Sequence, residues 1–145
     1  MATVNDCIIL NLPKITNRRG NITPVEGMKD VPFDIARVYY LYDVPSGSER
    51  GGHAHKELQQ LLVSVMGAFD VILDDGRNKK TVHLDRAHYG LYIPRMIWRK
   101  LANFSSGGIC LVLASLPYDE GDYYRDYDAY MKALPRPDSR GANNQ

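Results

Sequence analysis

The chain holds little of what would place it in a specialised class at once. It has only two cysteines among 145 residues, Cys7 and Cys110. They lie far apart inside apolar, strand-like runs, which excludes a disulfide framework or a thiolate metal cluster and predicts two buried free thiols. Net charge is almost absent: 18 basic against 17 acidic side chains leave +1, too little for a global field that draws nucleic acid or an anionic membrane. No stretch approaches the roughly 20 apolar residues of a membrane-spanning helix, and the amino terminus has no basic segment leading into an apolar run. A cytoplasmic location, with neither nucleic acid nor membrane as partner, is therefore expected. Internal repeats and linker-like segments are missing too. With a hydrophobic content of 44%, this predicts one compact domain over 1–136 and a polar tail over 137–145.

What is present is a β rhythm. Apolar, β-branched and aromatic runs at 35–44, 58–66, 69–73, 80–84, 90–93 and 109–116 are separated by turn signals. Asp74-Asp75-Gly76-Arg77-Asn78 places Asp-Gly between two of them, a strong hairpin signal, and Gly67 suits a tight turn. Antiparallel strands that meander in this way close into a barrel or jelly roll. Near the end, Tyr123, Tyr127 and Tyr130 recur at helical spacing behind Asp119, Glu120 and Asp122, and Leu134-Pro135 stops the pattern. A short amphipathic helix is predicted there, packing its tyrosines on the barrel or on a partner subunit.

His53 and His55, separated by Ala54, project to the same side of any strand that carries them. Two neighbouring imidazoles serve either metal ligation, with a carboxylate and a third imidazole, or proton transfer, one ring accepting while the other gives. Their setting, Gly47-x5-His53-x-His55-x4-Gln60-x6-Gly67, resembles the first motif of the cupin barrels with glutamine where these carry glutamate. Gly90, Pro94, Arg99 and Asn103 resemble the second motif, with Arg99 in the place of the third histidine. A neutral amide and a permanent cation disfavour a divalent ion. They suit a metal-free pocket for a phosphorylated, hydroxyl-rich ligand, Arg99 as a bidentate donor and Gln60 as donor or acceptor. The expected fold is all-β, a cupin-type jelly-roll β-barrel with a short C-terminal helix.

Other side chains cluster around this motif in the sequence. Arg37, Tyr39, Tyr40 and Tyr42 lie on the run before it, and Arg50 precedes Gly51-Gly52, whose lack of side chains lets backbone approach a ligand. Arg18-Arg19-Gly20 reads either as a solvated loop or as a pyrophosphate clamp. Trp98 is either core or a stacking platform for a nucleobase, and His83 and His88 read as surface residues.

The runs Arg37-Val-Tyr-Tyr40, Arg50-Gly-Gly-His-Ala-His55, Val71-Ile-Leu-Asp-Asp-Gly76, Gly90-Leu-Tyr-Ile-Pro94 and Leu113-Ala-Ser, continuing through Tyr118-Asp-Glu, Asp122-Tyr and Arg125-Asp-Tyr-Asp128, together resemble the dTDP-4-keto-6-deoxyglucose 3,4-ketoisomerase family, also called WxcM-like. The resemblance spans about residues 8 to 132. It implies a cupin with no metal or other cofactor, a homodimer with strands exchanged between subunits, and a dTDP-linked keto sugar as substrate. The implied reaction moves the ketone from C4 to C3 through an enediol, giving the 3-keto sugar that an aminotransferase converts to a 3-amino-3,6-dideoxy sugar for surface glycans. By the same resemblance His53 is the base at C3, His55 a second acid/base at the sugar oxygens, and Tyr39 a positioning or protonating phenol. Arg50, Arg19 and Arg99 are then candidates for the sugar and pyrophosphate oxygens; relatives often carry histidine where this chain has Arg99. Two rival readings are a non-catalytic sugar-nucleotide-binding cupin, which has no need of paired bases, and a metal-dependent cupin oxygenase, which needs an ion on His53 and His55. The intact histidine pair speaks against the first, and Gln60 with Arg99 against the second.

Overall fold

A computed structural model describes residues 1–135, so the tail expected at 137–145 lies outside the described residues. The strands follow the turn signals closely. They are β1 (Ile8–Asn11), β2 (Ile15–Asn17), β3 (Gly20–Ile22), β4 (Arg37–Leu41), β5 (Arg50–His55), β6 (Gln60–Met66), β7 (Phe69–Asp74) and β8 (Lys79–Leu84). Then come β9 (Tyr89–Ile93), β10 (Trp98–Ala102), β11 (Ile109–Ala114), β12 (Tyr123–Tyr124) and one helix, α1 (Tyr127–Ala133). One five-stranded sheet runs β1-β9-β6-β11-β4 and a second runs β12-β5-β10-β7-β8, with every neighbouring pair antiparallel. Most sheet neighbours are not consecutive in the chain, so connections pass repeatedly from one sheet to the other. This is a cupin-type jelly roll, all-β but for the short C-terminal helix.

Period-two alternation explains how the layers close. Along β11, Cys110 and Val112 turn into the space between the sheets, where they meet Leu62, Phe69, Val71, Leu91 and Phe104. Leu113 turns the other way and packs with Leu61 and Val63 beneath Val31 and Phe33 of the long segment before β4. Each large apolar side chain sealed in this way contributes about 1.5–3 kcal/mol. Both cysteines are buried and free, and burial raises their thiols to about 11 for Cys7 and about 12 for Cys110. The β7–β8 hairpin turns on the expected Asp-Gly: Asp75 Oδ1 accepts the backbone N–H groups of Arg77 and Asn78 at 2.9 and 2.8 Å, and Gly76 holds φ at +90°.

The helix begins later than the tyrosine spacing predicts. Asp126 caps it by accepting the backbone N–H of Ala129 at 3.0 Å, and α1 covers Tyr127–Ala133. Tyr123 and Tyr124 instead form β12, paired with the free edge of β5, Tyr123 opposite His55 and Tyr124 opposite Ala54. An unpaired strand edge competes for backbone that helical propensity would otherwise take, and here the edge prevails. The strands β1, β2, β3, β5 and β10 also lie outside the runs marked in the sequence, because their apolar stretches are short or mixed with glycine, polar or charged residues.

Candidate functional site

Strand register builds the site. Across β5 and β10, His53 stands opposite Arg99, and across β5 and β12, His55 stands opposite Tyr123. The register between β5 and β10 shifts beyond Arg99, where Leu101 pairs with Arg50, and Gly51 at φ +78° takes up the irregularity. From the facing sheet, β4 supplies Arg37 and Tyr39, and β6 supplies Gln60. The space they enclose is a cavity of about 350 Å³ lined by Arg37, Tyr39, Arg50, His53, Gln60 and Arg99, with Tyr118, Tyr123 and Arg125 from the segment after β11 and an apolar floor of Leu62, Leu101 and Val112. A volume of this size admits a small polar ligand.

One hydrogen-bond chain fixes the polar wall. Arg99, 2% exposed, donates from Nε to the carbonyl of Ile97 at 3.0 Å and from Nη1 to Gln60 Oε1 at 2.7 Å. Because a guanidinium only donates, the Gln60 oxygen must face it, and the amide Nε2 then donates to Tyr39 Oη at 3.0 Å. The Tyr39 hydroxyl therefore keeps its own proton free to donate. Burial raises the Tyr39 phenol above its ordinary range, so it stays a donor at neutral pH. Arg99 Nη2 is buried without a partner. A sealed cation with an unused donor is costly on its own and favours an oxygen-rich ligand in the cavity.

The two imidazoles differ in setting. His53 lines the cavity, and apart from the Gly51 backbone beside it neither of its ring nitrogens has a hydrogen-bond partner. Burial first, and the Arg99 guanidinium second, hold it well below the ordinary histidine range, at about 3. It is a neutral ring with a free lone pair. His55 is fully buried one layer deeper, its ring centroid 4.9 Å from that of His53 and 4.4 Å from that of Tyr123. Burial, Arg99, Arg37 and Arg125 push it down as well. The Asp122 carboxylate lies 3.1 Å from His55 Nδ1, a side-chain partner that His53 lacks.

Of the residues singled out in the sequence, His53, Tyr39, Gln60, Arg99 and Arg50 line the cavity, the last exposed at the mouth, and His55 stands behind His53 without lining it. Trp98 alternates with Arg99 on β10 and so faces outwards, packing against Tyr127 and Tyr130 of α1 with centroids 5.2 and 5.7 Å apart. Arg19 lies exposed on the β2–β3 hairpin and does not line this cavity. Four residues that sequence reasoning left out join the site: Tyr118, Tyr123, Arg125 and Asp122. Tyr123 was assigned to the helix, and its pairing opposite His55 depends on β12. Arg125, whose guanidinium carbon sits 4.1 Å above the Tyr123 ring and which is ion-paired with Glu120, follows it. Asp122 reaches His55 across a sequence gap that no local pattern spans. His83 and Asp70 form an exposed pair at 2.7 Å on the far sheet edge. Among the described residues no cluster of three histidine, cysteine or acidic side chains is placed to hold a metal ion. A buried guanidinium directly opposite His53 does not suit a divalent cation there.

Comparison with known proteins covers nearly the whole of the chain that builds this site. The sequence profile of the family described as FdtA: WxcM-like, C-terminal, matches residues 5–135. The chain belongs to that family. It is 42% identical over 128 residues, 88% of this chain and 92% of the relative, to a protein of Aneurinibacillus thermoaerophilus named TDP-4-oxo-6-deoxy-alpha-D-glucose-3,4-oxoisomerase. Among solved structures it resembles the TDP-quinovose 3,4-ketoisomerase of Campylobacter jejuni at 46% identity and a TM-score of 0.84, covering 88% of this chain and 98% of that one. It also resembles a sugar 3,4-ketoisomerase of Thermoanaerobacterium thermosaccharolyticum, solved in complex with TDP, at 38% identity and a TM-score of 0.87, covering 90% and 95%.

Proposed function

We propose that this protein is a sugar-nucleotide 3,4-ketoisomerase, an isomerase that converts dTDP-4-keto-6-deoxy-D-glucose to its 3-keto isomer by proton transfer through an enediol, without a metal. The observation that carries this reading is His53: a neutral imidazole whose nitrogens have no side-chain partner, at the wall of a cavity whose other polar side chains are guanidiniums, phenols and the Gln60 amide. The C4 ketone acidifies the C3–H bond, and His53 takes that proton. The electrons of the broken bond form the enediolate, and the developing negative charge on oxygen falls among Arg99 and the free Tyr39 O–H, donors already fixed by Gln60. A proton leaves the C3 oxygen, one is delivered to the C4 oxygen by way of His55, and C4 is reprotonated, so no net electrons or protons are exchanged. Arg50, Arg37 and Arg125 supply the positive mouth for the diphosphate. The family names of the relatives and the match across nearly the whole chain support this assignment.

We place the protein in the cytoplasm, where nucleotide sugars are made, and in the supply of 3-amino-3,6-dideoxy sugars for surface glycans. We further propose a homodimer with exchanged strands. Arg19 can meet a pyrophosphate only if its hairpin reaches a second copy, and that hairpin carries exposed Ile15 and Ile22, at 54% and 62%. Among the described residues no helix is long and apolar enough to cross a membrane.

The test is incubation of the purified protein with dTDP-4-keto-6-deoxyglucose in D2O, with chelator present throughout, followed by proton NMR. A 3-keto isomer carrying deuterium at C4 is expected. No isomer, or one that forms only when a divalent ion is restored, overturns the proposal.

A further inference from the structure

Asp122 has no role in the scheme above, yet it is the carboxylate bonded to the histidine pair. It closes the short turn Glu120–Asp122 and is 8% exposed. Its Oδ1 accepts the backbone N–H of Glu57 at 2.8 Å, and its Oδ2 accepts that of Leu58 at 3.3 Å while facing His55 Nδ1 at 3.1 Å. A carboxylate only accepts, so the bond to His55 requires the proton on Nδ1. The lone pair then resides on Nε2, which is buried and has no partner in the protein. Two backbone amides and a β12 strand locked to β5 leave the carboxylate little freedom to turn away.

The surroundings explain why a carboxylate is needed there. Arg99, Arg37 and Arg125 bear on His55 with positive charge, and the neighbouring rings, His53 and Tyr123, offer no compensating anion. An imidazolium formed at His55 would be a buried cation in a cationic wall. Among the described residues Asp122 is the acidic group in contact with it.

We propose that Asp122 is a positioning residue for catalysis: it holds His55 as the Nδ1–H tautomer and balances the charge that His55 acquires when Nε2 takes a proton. This rests on the ketoisomerase reading, because that reaction moves a proton between neighbouring oxygens. The O–H bond at C3 breaks with its electrons left on oxygen, the proton bonds to Nε2, and the same proton passes to the C4 oxygen, returning His55 to neutrality. Asp122 itself stays ionised throughout.

Nitrogen-15 NMR of histidine-labelled protein tests the tautomer without substrate. The wild type is expected to carry its His55 proton on Nδ1; Asp122→Asn sets an amide donor against Nδ1 and should move the proton to Nε2. In turnover, Asp122→Asn is expected to lower kcat by at least about 100-fold with KM within about threefold. In a His55→Gln background the same change should alter the residual kcat by less than about threefold, since a residue acting through His55 has nothing left to act on. An equal loss in both backgrounds overturns the proposal in favour of a structural role. A wild-type spectrum with the proton on Nε2 overturns it whether or not the variant folds, and if that protein isomerises the sugar, only the role of Asp122 is lost. The Nδ1–H tautomer in a protein that isomerises no keto sugar removes the ketoisomerase reading and, with it, the catalytic role drawn here.

Discussion

Replacing His53 by asparagine should separate catalysis from folding. The wild-type ring has no side-chain hydrogen-bond partner at either nitrogen, so its removal orphans no other side chain. What is lost is edge contact with His55 and Tyr123, at centroid distances of 4.9 and 5.2 Å. Stability should therefore change by no more than about 1 kcal/mol, a shift of about 3 °C in Tm for a domain of this size. The chemical step should suffer far more. A positioned general base is worth about 10²–10⁴ in rate, or about 2.7–5.5 kcal/mol of barrier. The arginines proposed to meet the diphosphate are untouched, so KM should remain within about threefold. The assay is initial-rate ketoisomerisation in D2O alongside a thermal melt of the same preparation. A variant that keeps more than about a tenth of the wild-type kcat would show that another group removes the C3 proton. A Tm lowered by about 10 °C or more would show that His53 is a packing residue.

Acid should destabilise the fold through the same histidine. Burial and Arg99 hold His53 at about 3 in the folded protein against 6.5 for the free group, so the unfolded chain binds the proton first. Stability is then complete above about pH 6.5 and is lost as pH falls toward 3, by up to about 1.4 kcal/mol per pH unit for each imidazole so held. Urea unfolding at pH 7, 6 and 5 should show the decline, and His53→Asn should make it shallower; an unchanged slope refutes the depressed titration. Tyr39→Phe leaves the Gln60 amide donor without its acceptor and should cost about 1–3 kcal/mol in urea unfolding as well as lowering kcat. A variant as stable as wild type would mean that Gln60 turns to another partner. Gly67→Ala puts a side chain where φ is +69°, running into Ser105 Oγ and to 2.9 Å from Gly108 Cα, and should cost about 2–3 kcal/mol. An unaltered melt would show that this turn relaxes freely.

The sequence by itself determined the strands whose apolar alternation is long and uninterrupted, the Asp-Gly hairpin, the turn at Gly67, and the pairing of His53 with His55 on one face. These are consequences of local geometry: side chains two apart on a strand share a side, and glycine permits positive φ wherever the chain stands. The spacing from Gly47 through Gln60 also carried the jelly roll, because it recurs in a known family. Tertiary structure decided the rest. Whether Arg99 faced solvent or the cavity depended on the phase of β10, a strand too mixed in polarity to declare itself, and that same phase turned Trp98 outwards onto α1. Tyr123 became a wall of the site because an open edge of β5 captured it, against a helical spacing that read convincingly in one dimension. The contact between Asp122 and His55 joins residues far apart in the chain through the closure of β12 on β5. Local pattern records which face a side chain takes within its own element; which elements meet, and in what register, is set by long-range pairing that a single sequence does not encode in any short window.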